Sequence, residues 1–176
     1  MKPRVSTAPV DAALLDAHLP GWDYVDGYDV ALEGVGPASA LAAARCITAS
    51  GSGRLLLRAR DLLVSTVGLK PAVTGAGELF PVLVDTPQLA AVGFDDSHLD
   101  FRILVSVEHR RVRCLTVVRR HNTLGHRYFA AVGPFHRRLV PHLLARAERR
   151  GWPRPSTPAG ALSAGVRVQS AGVSHY

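Results

Sequence analysis

The sequence predicts an α+β fold in which a curved antiparallel sheet wraps around one long, kinked helix near the C-terminus. Three observations carry this expectation. Four apolar stretches between residues 80 and 119 alternate with period two and are joined by very short polar links. After Asn122 the apolar period switches to 3.6 and holds for roughly six or seven turns. A chain of 176 residues, 47 % of them hydrophobic, can bury a single core without covalent staples.

Residues 1–20 form an N-terminal segment without sustained periodicity, in which 12–18 allow a short stretch of helix. Trp22, Tyr24, Tyr28 and Val30 then fall on one face of a half-buried strand. Gly34, Gly36 and Pro37 break it, and Pro37 suits the first turn of a helix. Two short helices follow this strand. The first covers 38–49, with Leu41, Ala44 and Ile47 or Thr48 on one side. After the turn Ser50-Gly51-Ser52-Gly53 the second spans 54–67, with Leu55, Leu56, Ala59, Leu62, Leu63 and Thr66 as its apolar stripe. Gly68 and Pro71 stop it.

The middle of the chain is predicted as four strands, over 80–84, 89–94, 98–107 and 111–119. Their links are too short for the crossover that parallel neighbours need, so each strand must turn back on the last. Pro81 marks a strand start or a sheet edge. In the long helix the expected buried stripe is Leu124, Tyr128, Ala131, Val132, Phe135, Leu139, Val140, Leu143, Leu144 and Ala147. Gly133-Pro134 and Pro141 interrupt its backbone bonding, which predicts a kink or short break near Gly133. Gly151 and Pro153 end it. Residues 21–152 thus make one domain, and 153–176 read as a disordered tail of Pro, Gly, Ser and Ala. A long helix across a curved antiparallel sheet is the helix-grip plan, and the space beneath such a helix is the usual ligand site.

Charge and composition narrow the function classes. The formal charge is +7 and the pI about 10.2, with arginines crowded at 110–120 and 137–154. Aromatics are only 6 %, too sparse around those arginines to stack bases, and no helix-turn-helix or zinc pattern appears. A solvated basic face therefore explains the charge better than nucleic-acid binding. Cys46 and Cys114 have no metal or redox spacing and read as small buried hydrophobes. The basic start at Lys2 and Arg4 is not followed by an apolar run, and no stretch approaches a membrane span, so a cytoplasmic protein is expected. Gly75-Ala76-Gly77 lacks the strand-before, helix-after context of a phosphate loop, and no cofactor is implied.

Several strings then look familiar: Arg60-Asp61-Leu62-Leu63-Val64 with Gly68-Leu69-Lys70, Phe80-Pro81-Val82, and Thr116-Val117-Val118 with His121-Asn122. Gly125-His126-Arg127-Tyr128-Phe129 belongs with them. The most specific are Gly93-Phe94-Asp95-Asp96-Ser97-His98-Leu99-Asp100-Phe101-Arg102 and Pro134-Phe135-His136-Arg137-Arg138-Leu139-Val140. Over roughly residues 24 to 150 the chain resembles the bacterial domain-of-unknown-function 2867 family. The resemblance implies a place in the START and polyketide-cyclase-like helix-grip superfamily, whose members include carriers, hormone binders, cyclases and dehydratases. It implies no particular reaction.

Each candidate site has two readings. His98, Asp100 and Arg102 share one face of a strand. Either they line the cavity, with Arg102 gripping an acidic ligand group, or Leu99, Phe101, Ile103, Val105 and Val107 face the helix and the polar three form an outer charge ladder. His136 lies four residues from both Val132 and Val140, which turns it toward the sheet. It is the leading functional side chain, either as an acid or base or as a ligand contact, with a buried structural histidine as the alternative. Asn122 or Thr123 reads as a helix N-cap, with Asn122 as a ligand contact the alternative. Asp95 and Asp96 are paired carboxylates that could do acid–base work, but they read better as a turn between strands. His121, His126 and His136 match no zinc spacing, so no metal is expected. The leading expectation is a small apolar or amphipathic ligand beside His136, Arg102, Tyr128, Phe135 and Asn122, with Leu124 and Leu139 completing the lining. A second is an acid–base enzyme, cyclase- or dehydratase-like, using His136 with Asp100 or His98. The third is a basic module for nucleic acid or an acidic protein.

Overall fold

The computed structural model describes residues 3–48 and 80–153. The expected helix at 54–67, the turn and loop beside it, and the tail from 154 lie outside the described residues. In chain order the elements are β1 (Val5–Thr7), α1 (Ala12–His18), β2 (Tyr24–Ala31), α2 (Ala40–Thr48), β3 (Val82–Asp85), β4 (Leu89–Phe94), β5 (Leu99–Glu108), β6 (Arg111–Arg120) and α3 (Thr123–Arg150). The strands form one open, antiparallel, six-stranded sheet in the order β1-β2-β6-β5-β4-β3. The α+β class and the meander follow the sequence expectation closely.

Short links explain the β3–β6 half. The tightest is the two-residue turn at His109 and Arg110, whose φ angles of 36° and 68° give the left-handed conformation that suits a twisted hairpin. The other half is not local. β2 pairs along its whole length with β6, from Tyr24 opposite Val118 to Ala31 opposite Arg111, and β1 adds beyond it as the outer edge. The short β1 was not anticipated, since three residues carry too little alternation to register.

Both faces of the sheet are covered. On one face Val30, Val92, Val105, Val112 and Cys114 meet Leu41, Ala44 and Ile47 of α2 and Leu139, Val140, Leu143, Leu144 and Ala147 of α3. Within that layer α2 lies over β4 and β5, and α3 lies over β1, β2 and β6. On the opposite face Leu15 and Leu19 from the α1 region pack on Ala91, Leu104, Leu115 and Val117. Trp22 joins this second cluster rather than the row of Tyr24 and Tyr28. The N-terminal segment therefore supplies an edge strand and a covering helix to the same fold.

Helix α3 runs for 28 residues with Pro134 and Pro141 inside it and no interruption at Gly133. Its start is fixed by Asn122, whose side chain accepts from the Gly125 amide at 3.0 Å. The absence of a Cβ at Gly125 lets this first turn lie directly on the His98 carbonyl. Pro141 cannot donate to the Arg137 carbonyl, and the Tyr28 hydroxyl on β2 donates to that carbonyl instead, at 3.2 Å. A backbone group freed by proline is thus satisfied from the sheet.

The buried stripe of α3 differs from expectation in its first half. Gly125, Phe129 and Gly133 face inward, and Phe135 is 50 % exposed. Stepping back from Val140 by 3.6 residues reaches His136, Gly133, Phe129 and Gly125 in turn. Ala131 and Phe135 are apolar but out of this helical phase, and both lie on the solvent side.

Candidate functional site

The helical phase brings His136 down onto the sheet where β2 and β6 present polar side chains. Alternation along β2 points Tyr24, Asp26 and Tyr28 toward α3, and the register pairs Asp26 with Thr116 of β6. The His136 Nδ1 lies 3.0 Å from Asp26 Oδ2, and its Nε2 lies 3.4 Å from Thr116 Oγ1. The Tyr24 hydroxyl donates to the same Asp26 Oδ2 at 2.8 Å. The imidazole and carboxylate side chains are only 15 % and 9 % exposed. Four polar side chains from two strands and one helix thus form a connected group inside an otherwise apolar interface.

The protonation pattern of the group follows from its surroundings. Burial pushes the Tyr24 phenol up to about 12, aided by its hydrogen bond to Asp26 and that carboxylate's charge, with Arg137 nearby opposing the rise. Tyr24 is therefore a hydrogen-bond donor at neutral pH. Burial likewise carries the Cys114 thiol to about 12, with a smaller push from Asp26. Burial and then Asp26 also raise Tyr28, against the pull of Arg137. An ionised carboxylate only accepts, so His136 directs its Nδ1–H at Asp26. In the neutral imidazole this leaves Nε2 as an acceptor facing the Thr116 hydroxyl.

One atom of the group stands apart. Asp26 Oδ1 is buried and has no hydrogen-bond partner among the described residues. Beside it, the Tyr24 ring meets Phe129 edge-on at 4.5 Å, and the Arg120 guanidinium lies 5.6 Å from the Phe129 centroid. Tyr128 joins Leu99, Val118 and Phe129 in the cluster at this end of the helix.

The other expected site residues lie elsewhere. Asp100, 2 % exposed, points to the α1 side of the sheet. It accepts from Arg119 Nε at 3.0 Å, from His121 Nε2 at 3.0 Å and from the Asp96 amide at 3.2 Å. Burial alone would raise its pKa, but the bonds from His121, Arg119 and Asp96 together bring it below the ordinary carboxylate value. Arg102, on that same side, is held by Asp95 at 2.6 Å and by the Phe94 and Phe101 carbonyls. His98 contacts the Asn122 side-chain amide at 3.2 Å and Ser97 Oγ at 3.4 Å. Asn122 also donates to the Ser97 carbonyl, so it ties the helix start to the β4–β5 link. The sheet separates Asp100 and Arg102 from His136, because period-two alternation that buries Leu99, Phe101 and Ile103 under the helices must send their neighbours the other way. The pairing of His136 with Asp100 is corrected on this ground. So is the placing of Phe135 beneath the helix.

The carboxylate that His136 does meet, Asp26, was missed by sequence reasoning, as were Tyr24 as its donor and Thr116. A signal was available. Asp26 occupies the position that alternation leaves open between Tyr24 and Tyr28, so a charged residue sat in the middle of a buried row.

Both cysteines are free thiols, Cys114 buried and Cys46 half-buried. Among the described residues no cluster of three or more His, Cys, Asp or Glu is arranged to hold a metal ion, and no helix is long and apolar enough to cross a membrane.

Fold and site together define an α+β protein with a long C-terminal helix on an open antiparallel sheet and a buried polar group between them. Its family follows from comparison: residues 18–143 match the model of a family described as a protein of unknown function, DUF2867, and the chain belongs to that family. No curated protein and no solved structure matched the chain.

Proposed function

We propose that this protein binds a small amphipathic molecule between α3 and the sheet, with the ligand's polar end at Asp26 and His136. The observation that carries the reading is the buried, unpaired Asp26 Oδ1. A buried polar atom without a partner is uncommon in native proteins, and it is costly unless something completes it. Its neighbours are suited to holding a ligand in a fixed pose. Tyr24 and His136 lock the carboxylate from one side, and Tyr24, Phe129 and Tyr128 offer aromatic surface nearby. The helix-grip plan that the family resemblance implies supports the same reading, since the space beneath its long helix is the usual ligand site. We take the protein to act in the bacterial cytoplasm, in keeping with its two free thiols.

A second reading is favoured by the Asp26–His136 geometry itself. A carboxylate on Nδ1 orients an imidazole and leaves Nε2 to move a proton, the arrangement expected of general acid–base catalysis. In this reading Asp26 takes the place that the sequence had given to Asp100 or His98.

Native mass spectrometry of the purified protein, followed by denaturing extraction, tests the proposal. A small molecule released in stoichiometric amount from the wild type, and lost from His136→Leu, is the expected result. A wild-type chain that carries nothing and takes up no amphipathic probe would sink the binding reading.

A further inference from the structure

The polar end of a ligand at this site must suit the group that receives it. Asp26 presents two oxygens, and an ionised carboxylate can only accept hydrogen bonds. Oδ2 already takes the Tyr24 hydroxyl at 2.8 Å and faces His136 Nδ1 at 3.0 Å. Oδ1 takes none, and the side chain is 9 % exposed. What is missing at this point is a donor.

From these observations we infer that the ligand's polar end is a hydrogen-bond donor, an alcohol or an amine, delivered to Asp26 Oδ1. The inference rests on the binding reading above and gives that site its chemical polarity. It reverses the expectation of an acidic ligand group gripped by Arg102, because Arg102 lies across the sheet and is engaged by Asp95. A carboxylate ligand placed at Asp26 would set two like charges against each other in a buried position and would still leave Oδ1 without a donor. Arg137, exposed on α3, is a cation that acts on Tyr24 and Tyr28. An anionic head would be served there, at the rim, and not at Asp26.

The test is isothermal titration of the full chain at neutral pH with octanol, octylamine and octanoate, which share an alkyl body and differ in the head. Octanol or octylamine should bind at least about tenfold more tightly than octanoate, the scale of one hydrogen bond to a buried charge. Asp26→Asn should erase that preference, and Asp100→Asn, on the opposite face, should leave it unchanged. Comparing octanol with octylamine tells a neutral donor from a cationic one. Octanoate binding as tightly as the other two, or a preference that survives in a folded Asp26→Asn, overturns the donor inference and leaves the binding site standing. If none of the three binds, the site reading fails and the inference with it. The wild-type comparison needs no variant, so a misfolded Asp26→Asn does not weaken the test.

Discussion

His136 on α3 and Asp26 on β2 are joined at 3.0 Å although 110 residues separate them in the chain. This contact fastens the middle of the long helix to the sheet by a polar pair inside an apolar interface. Removing one partner of a buried pair leaves the other's charge poorly compensated, so His136→Leu should cost about 3 kcal/mol. Adding Asp26→Leu should recover most of that loss, because the uncompensated carboxylate is then gone as well. Urea denaturation of the two single variants and the double variant measures the coupling. Additive effects would show that the pair contributes no interaction of its own.

The Tyr28 hydroxyl answers the Arg137 carbonyl that Pro141 leaves without a backbone donor. Tyr28→Phe should therefore destabilise the protein by about 1 kcal/mol, the usual net worth of one hydrogen bond. In a Pro141→Ala background the helix supplies its own donor, and the same substitution should cost much less. An equal cost in both backgrounds would remove the proposed link between the proline and the tyrosine.

Gly125 sits in the first turn of α3, directly against the His98 carbonyl. Glycine to alanine in a helix ordinarily stabilises by nearly 1 kcal/mol. Here the sign should reverse, because the new Cβ would run into backbone that cannot yield as a flexible side chain would. Gly125→Ala should cost about 1–3 kcal/mol by overpacking. Thermal melts give the answer, and a stabilised variant would show that the helix start is free to move.

Stability should fall at both ends of the pH scale, for different groups. Tyr24 rises from 10.0 and Cys114 from 9.0, each to about 12, so both hold their protons more tightly folded than unfolded. Their contribution is complete below pH 9 and is lost as the pH climbs toward 12. Asp100 behaves in the opposite sense. Its folded pKa lies below 3.8, so its contribution is complete above that value and is lost as the pH falls through the lower one. Melting temperature against pH should thus be flattened on the alkaline side by Cys114→Ala and on the acid side by Asp100→Asn. A variant whose profile parallels the wild type would clear its residue of that role.

Much of this architecture was legible from local pattern. The strands beginning near Val82, Leu89, Leu99 and Arg111 appear within a few residues of their expected limits, and Thr123–Arg150 is the long helix. The inward turn of His136 was legible too, because its spacing from Val132 and Val140 is a property of the helix alone. In the first half of the helix, phase overrides hydrophobicity. Phe135 is exposed and Gly133 is buried, the reverse of what their side chains suggest, since the helical turn decides orientation first.

Periodicity and short links are local constraints, and they mark β2 to β6, α2 and α3 and make β3 to β6 fold back on one another. That β2 closes on β6, that β1 edges and α1 covers the same sheet, and that Asp26 is the carboxylate His136 meets emerge only when the chain is packed. Pairings between segments so far apart depend on which surfaces fit once the chain has collapsed. A buried polar residue declares its partner only when that fit is made.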